Sequence, residues 1–250
     1  MTAYLQRASV FAIKEETTVG TLVVPTAATQ FLPLKSGFSL SSEVATLDNE
    51  ELLNDIAAGK GLLGLENPNG THELYLKHSE VEGQEPNFGL LIESALGSKT
   101  VNATQYTVTA GSVAGTSSVR ASLEMATNEE DNFELGQCVL IKDGTNGYSM
   151  RNVHTVNSAG NQLDLNFNLS AAPASGVGLG KAIVYKPASS GHKSFSAWMY
   201  RANGAAIEAI AGCRTSSLSI TANAGEQLEM SASYSGSAFY FNPINITSAF

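Results

Sequence analysis

The sequence predicts a mostly β protein: an antiparallel β-sandwich flanked by one α-helix, with a small β-barrel-like subdomain inserted into it. Three observations carry this. The charged fraction is 15%, against a usual figure of about 25%, and Ser, Thr, Asn, Gly and Ala replace the missing charge. Short runs of alternating apolar residues recur, separated by Gly, Asn and Pro turn signals. Finally, residues 195–234 read as consecutive turn-linked strands, which only a sheet accommodates.

Taken in order, Ala8–Lys14 reads as a first strand, followed by the polar stretch Glu15–Thr21 and a loop carrying Pro25 and Pro33. Residues 36–44 alternate again, with Phe38 and Leu40 facing one way. Asp48–Ile56 has the acidic start of a short helical turn, inside a segment, 45–70, that otherwise reads as loop. Loops of that length are usually functional or ordered by a partner. Thr71–His78 is a strand candidate. Pro86–Leu96 is the clearest helix, with Phe88, Leu91, Ile92 and Ala95 on one face and Gly97 ending it.

From 101 to 190 the texture changes to short strands at regular spacing: Gly136–Lys142, Tyr148–Val156, Gln162–Leu169 and Gly180–Lys186. The expected organisation is therefore a sandwich domain from 1–100 plus 191–250, with 101–190 inserted as a β-subdomain. In the last part, Phe195–Arg201 and Ala205–Gly212 flank Ala202-Asn203-Gly204, Ser216–Ala222 follows, and 228–234 alternate Leu228, Met230, Ala232 and Tyr234. Trp198 falls within an alternating strand, where core packing is its expected role.

The bulk chemistry excludes several classes. A net charge of −9 and a pI near 4.9 argue against a protein that grips nucleic acid through neutralised phosphates, yet suit a wall that nucleic acid passes without sticking. Cys138 and Cys213 lie far apart and match no metal or redox spacing, so they read as ordinary buried thiols of a reducing compartment. No stretch approaches the roughly 18 apolar residues of a membrane span. The segment from Met1 to Arg7 lacks a signal core, which predicts a cytoplasmically made, unprocessed chain.

Catalytic motifs fail on context. Gly59-Lys60-Gly61-Leu62-Leu63-Gly64 formally matches a dinucleotide fingerprint, but such a site must follow a buried strand and open a helix. Here it runs into Asn67-Pro68-Asn69-Gly70 and reads as a flexible loop. Gly176–Lys181 is one residue short of a phosphate loop, and Ala182 stands where a magnesium-holding Ser or Thr belongs. His72 and His78 are about 20 Å apart on a strand, too far for one metal, and His154 and His192 are isolated. Glu129-Glu130-Asp131 lacks calcium-loop spacing and reads as a solvated turn. Glu15-Glu16 is the other candidate carboxylate pair. No nucleophile has a matched base, so the expectation is no enzyme, no cofactor and no metal.

The order of the pieces carries a resemblance. A first strand leads into Lys14-Glu15-Glu16-Thr17-Thr18-Val19-Gly20-Thr21 and then Pro25-Thr26-Ala27-Ala28. A long acidic loop precedes Pro86-Asn87-Phe88-Gly89-Leu90-Leu91, and Tyr200–Gly204, Gly212-Cys213-Arg214 and Ala224-Gly225-Glu226 follow near the end. This resembles the major tail tube proteins of tailed bacteriophages, especially those with long non-contractile tails, over residues 8–97 and 195–240.

The resemblance implies hexameric rings stacked into a tube whose lumen is lined by strands, a conduit for DNA ejection. The inserted outer β-subdomain, 101–190, would then lie on the outer surface. It implies that the loop at 45–70 packs on the next ring, making Asp48, Glu50, Glu51, Asp55, Lys60 and Asn67 candidate inter-ring residues. The implied partners are copies of itself, the tape measure, terminator and baseplate proteins, and passing DNA without specific binding, with no membrane. The implied location is the virion tail, assembled in the bacterial cytoplasm. The alternatives are another virion component (tail terminator, baseplate or decoration protein) and a carbohydrate-binding or adhesin module, which would expose aromatics on loops.

Overall fold

The structure, a computed structural model, describes residues 9–35, 37–48, 61–81, 83–112, 121–142, 147–202 and 204–242. Its elements in chain order are β1 (Val10–Glu15), β2 (Phe31–Leu32), β3 (Ser39–Leu47), β4 (Leu62–Tyr75), α1 (Gly89–Leu96), β5 (Gly97–Asn102), β6 (Ala110–Ser112), β7 (Ala121–Glu124), β8 (Cys138–Lys142), β9 (Tyr148–Asn157), β10 (Gln162–Leu165), β11 (Ala182–Pro187), β12 (Phe195–Arg201), β13 (Ala206–Thr221), β14 (Glu229–Ser235) and β15 (Ala238–Phe241). The protein is mostly β and antiparallel, as its alternation predicts. It divides into two compact units. Unit 1 takes the chain up to His78, Pro86–Ser98 and the chain from Lys186; unit 2 takes Ser79–Glu85 and Lys99–Tyr185.

Unit 1 is built on an eight-stranded sheet in the order β2-β1-β12-β13-β14-β4-β3, with β15 also on β13. The alternation at 205–212 and 216–222 suggests two strands, but they form one strand of 16 residues. Its first half pairs with β12 and β15 and its second with β14. Register shifts interrupt both the β12 and the β14 ladders, and bulges of this kind bend a strand. Gly212 sits in the bend at φ +70°, where an added Cβ would collide with Ser237. The glycine that reads as a strand end is therefore a hinge within a strand.

The carboxylate of Glu16 locks that bend. It is 6% exposed, and accepts hydrogen bonds from the Gly212 amide (2.7 Å), the Ser196 hydroxyl (2.8 Å) and the Gly20 amide (2.9 Å). Neighbouring Glu15 instead pairs at the surface with Lys193 at 2.6 Å. The two acids of the candidate pair thus part company: one is a surface ion, the other a structural acceptor.

The main core of unit 1 gathers Phe11, Ile13, Leu74, Leu91, Phe195, Met199, Ile210, Met230 and Tyr234. Helix α1 covers it, beginning at Gly89 rather than Pro86 and ending at Gly97 in the left-handed conformation. Its buried face is Leu91, Glu93 and Ser94, while Ile92 and Ala95 are half-buried. The difference from the apolar expectation has a polar cause: Ser94 Oγ accepts the Thr215 amide at 3.1 Å, and the Thr215 hydroxyl donates to the Leu91 carbonyl at 3.0 Å. The helix answers the amide left over beside the β13 bulge. On the opposite sheet face a second cluster holds Ala12, Trp198, Tyr200 and Ala209. Trp198 is 1% exposed and its indole donates to the Val23 carbonyl at 2.8 Å, so its packing role is as expected.

Unit 2 is a five-stranded sheet, β6-β7-β10-β9-β8. Isolated bridges Thr107–Gly178 and Ile141–Leu179 curl it toward closure around Val108, Leu123, Val139, Ile141, Val153, Leu163, Leu165 and Leu179. The glycine run at 176–180 is thus a barrel seam and no phosphate loop. The third predicted strand ends early, at Leu165, and leaves Phe167 54% exposed. Glu130 begins a short 3-10 turn and is fully buried, against the solvated turn expected there. Strands β5 and β11 form a two-stranded ladder.

Cys213 is buried and Cys138 half-buried, both as free thiols. Of the histidines, His154 and His78 are exposed, and His192 bridges the Ser94 and Ala188 carbonyls at 3.0 and 3.1 Å. His72 is the exception. It is fully buried, stacks on Phe11 at 4.3 Å, and neither ring nitrogen makes a well-formed hydrogen bond. Burial pushes its pKa down to about 4, outweighing the Pro33 carbonyl that favours the charged ring.

Two predictions follow from these buried groups. Between pH 6.5 and 4 the unfolded chain binds a proton at His72 that the folded chain refuses. Stability conferred by the neutral ring is therefore complete above pH 6.5 and is lost on acidification to about pH 4. The loss amounts to roughly 3 kcal/mol, and urea denaturation of His72→Phe at a series of pH values is expected to lack this slope. Glu16→Ala strands the Gly20 and Gly212 amides and the Ser196 hydroxyl, and urea denaturation at neutral pH is expected to show a loss of about 3 kcal/mol.

Candidate assembly surface

The strands β3 and β4 form a hairpin that outgrows the core. Leu40 on β3 and Gly70, His72 and Leu74 on β4 are buried, and Gly70 lies so close under Tyr234 that an added Cβ would come within 2.5 Å of its ring. Below Pro68 the chain emerges. Residues 62 to 67 are exposed apart from half-buried Gly64, with Leu62, Leu63 and Leu65 at 55%, 80% and 89%. On the facing strand Val44 and Leu47 are 50% and 55% exposed.

The register fixes where these side chains point. Thr46 pairs with Leu63 and Leu47 with Leu62, and successive pairs face opposite sides of a ladder. Leu63 therefore emerges on one face, Leu62 and Leu47 on the other. A register shift between Val44 and Thr46 puts Leu65 at a bulge, with Gly64 close to Ala45. This arm is a two-stranded ribbon with large apolar groups on both faces. Such a ribbon is marginal alone in water, and exposed apolar surface of this kind marks an interaction site.

Strand β3 is also the terminal strand of its sheet. Among the described residues no strand pairs with its outer edge, and Glu43 is its sole charged side chain. A long, nearly uncharged edge is a template for another strand.

The outward face of the sheet formed by β13, β14, β4 and β3 has a different chemistry. The register aligns Ser217, Ser233, Thr71 and Ser39 in one row, and Ser219, Ser231 and Glu73 in the next. Ser39 and Thr71 share a hydrogen bond at 2.9 Å, and Ser41 donates to Asn69 at 2.9 Å. Lys35 and Glu229 pair at 2.5 Å, a bond that raises the lysine's pKa.

Of the residues singled out from sequence, Asp48 is exposed just past β3. Asn67 is exposed on β4 opposite Glu43. Glu50, Glu51, Asp55 and Lys60 lie outside the described residues. The loop expected over 45–70 is corrected at both ends, since β3 reaches Leu47 and β4 begins at Leu62. Its Asn-Pro-Asn-Gly run misleads for a physical reason. Pro68 is the first residue beyond the β14 ladder, where proline is tolerated, and Gly70 makes room for an aromatic ring rather than a turn. Leu62-Leu63-Gly64-Leu65 belongs to this strand, so the fingerprint-like glycines open no helix. That apolar run was the available signal for the arm.

Among the described residues no group of three or more His, Cys, Asp or Glu side chains could hold a metal. None of their helices is long and apolar enough to cross a membrane. What the surface offers is strand edge, apolar arm and hydroxyl-lined sheet, all suited to protein assembly. The comparison with curated proteins returned no match. A family model described as phage tail tube protein matches residues 6–240, spanning both units, in a family that is structural and not normally enzymatic. The chain belongs to the phage tail tube protein family, as a structural component of the virion tail.

Proposed function

We propose that this protein forms rings, each of six copies, that stack into the tail tube through which DNA is ejected. The observation that carries this reading is the β3–β4 arm, apolar on both faces and unable to cover itself. A contact made by an arm on a different surface of the next copy is heterologous, and heterologous contacts close into rings or propagate as filaments. A tube needs both: a lateral contact that closes and an axial one that repeats.

The uncharged edge of β3 supports the lateral contact, adding to the sheet of a neighbour. The arm supports the axial contact, with Asp48, Asn67 and the residues joining β3 to β4 (Glu50, Glu51, Asp55 and Lys60 among them) meeting the adjoining ring. The hydroxyl rows of Ser217, Ser231, Ser233 and Thr71 suit a lumen wall. They hydrogen-bond water readily and present no row of cations to hold phosphate. Residues 101–190, proposed as an inserted subdomain, then belong outside the narrow lumen. The tube would meet the tape measure protein within, the terminator at one end and the baseplate at the other, after assembly in the bacterial cytoplasm.

Negative-stain electron microscopy of the concentrated protein, alone, tests the reading. Tubes or stacked rings with a central hole are expected; single rings that do not stack would make it a terminator or baseplate component. The arm gives a second test. Leu63→Asp combined with Leu65→Asp touches no core residue, so the subunit's unfolding free energy from urea denaturation is expected to hold within about 0.5 kcal/mol. Sedimentation of the same variant is expected to show loss of stacked assemblies; unchanged stacking with folded subunits counts against the arm as the axial contact.

A further inference from the structure

Beyond Cys213, strand β13 presents a second edge. Strand β14 and then β15 run along one side of β13, while β12 covers the other side only as far as Cys213. On that side Thr215 meets helix α1, through the Ser94 hydroxyl and the Leu91 carbonyl. From Ser216 to Thr221 no strand takes the place of β12 among the described residues. All of these residues are exposed except half-buried Leu218. The sheet of β13, β14, β4 and β3 therefore has an open edge at each side, and an open edge is a template for another strand.

Each edge carries a single charge, and the signs are opposite. Arg214 is the sole charged side chain from Arg214 to Thr221, and Glu43 the sole one on β3. Both are exposed, and neither has an ion-pair partner among the described residues. They also face the same way. The register puts Arg214 in one row with Ser235, Asn69 and Ser41, on the outward face that bears the hydroxyls. Glu43, opposite Asn67 in the next row toward the arm, points to that face too.

The strands alternate in direction from β13 to β3, so β3 of one copy meets β13 of the next in antiparallel order. The register of that contact is constrained. A slip by a single residue would turn the hydroxyl face inward, and an unshifted ring of strands lacks the stagger that closure requires. A shift of one pleat toward the arm satisfies both conditions and moves Glu43 from one row away to directly opposite Arg214. Opposite charges facing each other across strands attract. We propose that Glu43 of one copy pairs with Arg214 of its neighbour, fixing the register in which β3 joins the open edge of β13 and neutralising a cation that would otherwise face passing phosphates. This rests on the tube reading above.

Disulfide trapping reads the register. In the full chain carrying Cys138→Ser, Ser41→Cys is combined with Ser217→Cys, a pair that the proposed shift sets opposite each other. In parallel, Ser39→Cys is combined with Ser217→Cys, residues that share a row within one subunit and meet between copies only if the edge is unshifted. Tubes are verified by microscopy before mild oxidation. A ladder of linked oligomers on a non-reducing gel is expected from the first pair and none from the second. The reverse result overturns the ion pair. Intact tubes with no ladder from either pair overturn the edge contact and leave the tube reading standing; absence of tubes from the wild-type chain overturns both. Arg214→Glu and Glu43→Arg, each alone, are expected to lower the sedimenting assembled fraction about fivefold, with urea denaturation showing that the subunits stay folded. The two together are expected to restore it, and folded double-variant subunits that fail to recover overturn the pairing.

Discussion

The curvature of unit 1 depends on one buried charge. Strand β13 belongs to both halves of the sheet, pairing with β15 up to Ala211, with β12 up to Cys213 and with β14 from Arg214, so it must bend, and a bent strand sheds ladder bonds. Glu16 takes up the Gly212 amide shed there, together with the Gly20 amide and the Ser196 hydroxyl. A buried carboxylate is costly when alone, yet these donors would themselves be costly without an acceptor. Each makes the other tolerable, and one side chain fixes points of the chain 196 residues apart. Everything beyond the bend, including the direction in which β4 and β3 leave the core, inherits that geometry.

The arm shows why such a chain stabilises itself by repetition. Covering Val44, Leu47, Leu62, Leu63 and Leu65 would contribute about 2 kcal/mol each, or roughly 10 kcal/mol gross. Association costs an estimated 4–15 kcal/mol in lost rigid-body freedom. On the proposed reading, then, one arm on one neighbour comes close to breaking even. A subunit already held by a lateral β-edge loses little further freedom when its arm docks, so the second contact is nearly all gain. Two contacts that are weak separately and strong together suit a structure that must stay soluble as subunits and grow only on an existing end.

How much of this was legible in sequence depended on whether the signal was local. Period-two alternation marks β8 and β14, where buried positions alternate with more exposed ones; β1 and β12 are buried on both faces at their centres and are marked by their apolar content, and the helix was readable from its glycine terminator. The arm was missed because its exposed positions have no inside and outside to alternate. With apolar residues on both faces, its sequence carries no two-fold period, and Pro68 and Gly70 imitate a turn. The continuity of β13 was equally hidden, since a glycine hinge within a strand and a glycine at a strand's end look alike without the Glu16 contact. Glu16 itself lay in a polar stretch where neighbouring Glu15 stays at the surface. Nothing local distinguishes the two, because the groups that bury Glu16 come from β12 and β13.

The net charge of −9 reads differently once the charges are located. Glu16 and Glu130 are buried, and Glu15, Glu85, Glu208 and Glu229 each pair with a lysine or arginine. The sum therefore says little about the field at any one surface. On the outward face of β13, β14, β4 and β3 the central rows are hydroxyls, with Glu73 and the Lys35–Glu229 pair toward one end. A polyanion moving past needs a wall without fixed cations, since each phosphate neutralised releases counterions and creates a stop. It does not need a strongly negative wall, which would raise the electrostatic cost of entry. Serine and threonine meet both requirements and also pair readily across strands. The composition that first pointed to a sheet, poor in charge and rich in hydroxyls, is thereby the same property that suits the proposed channel.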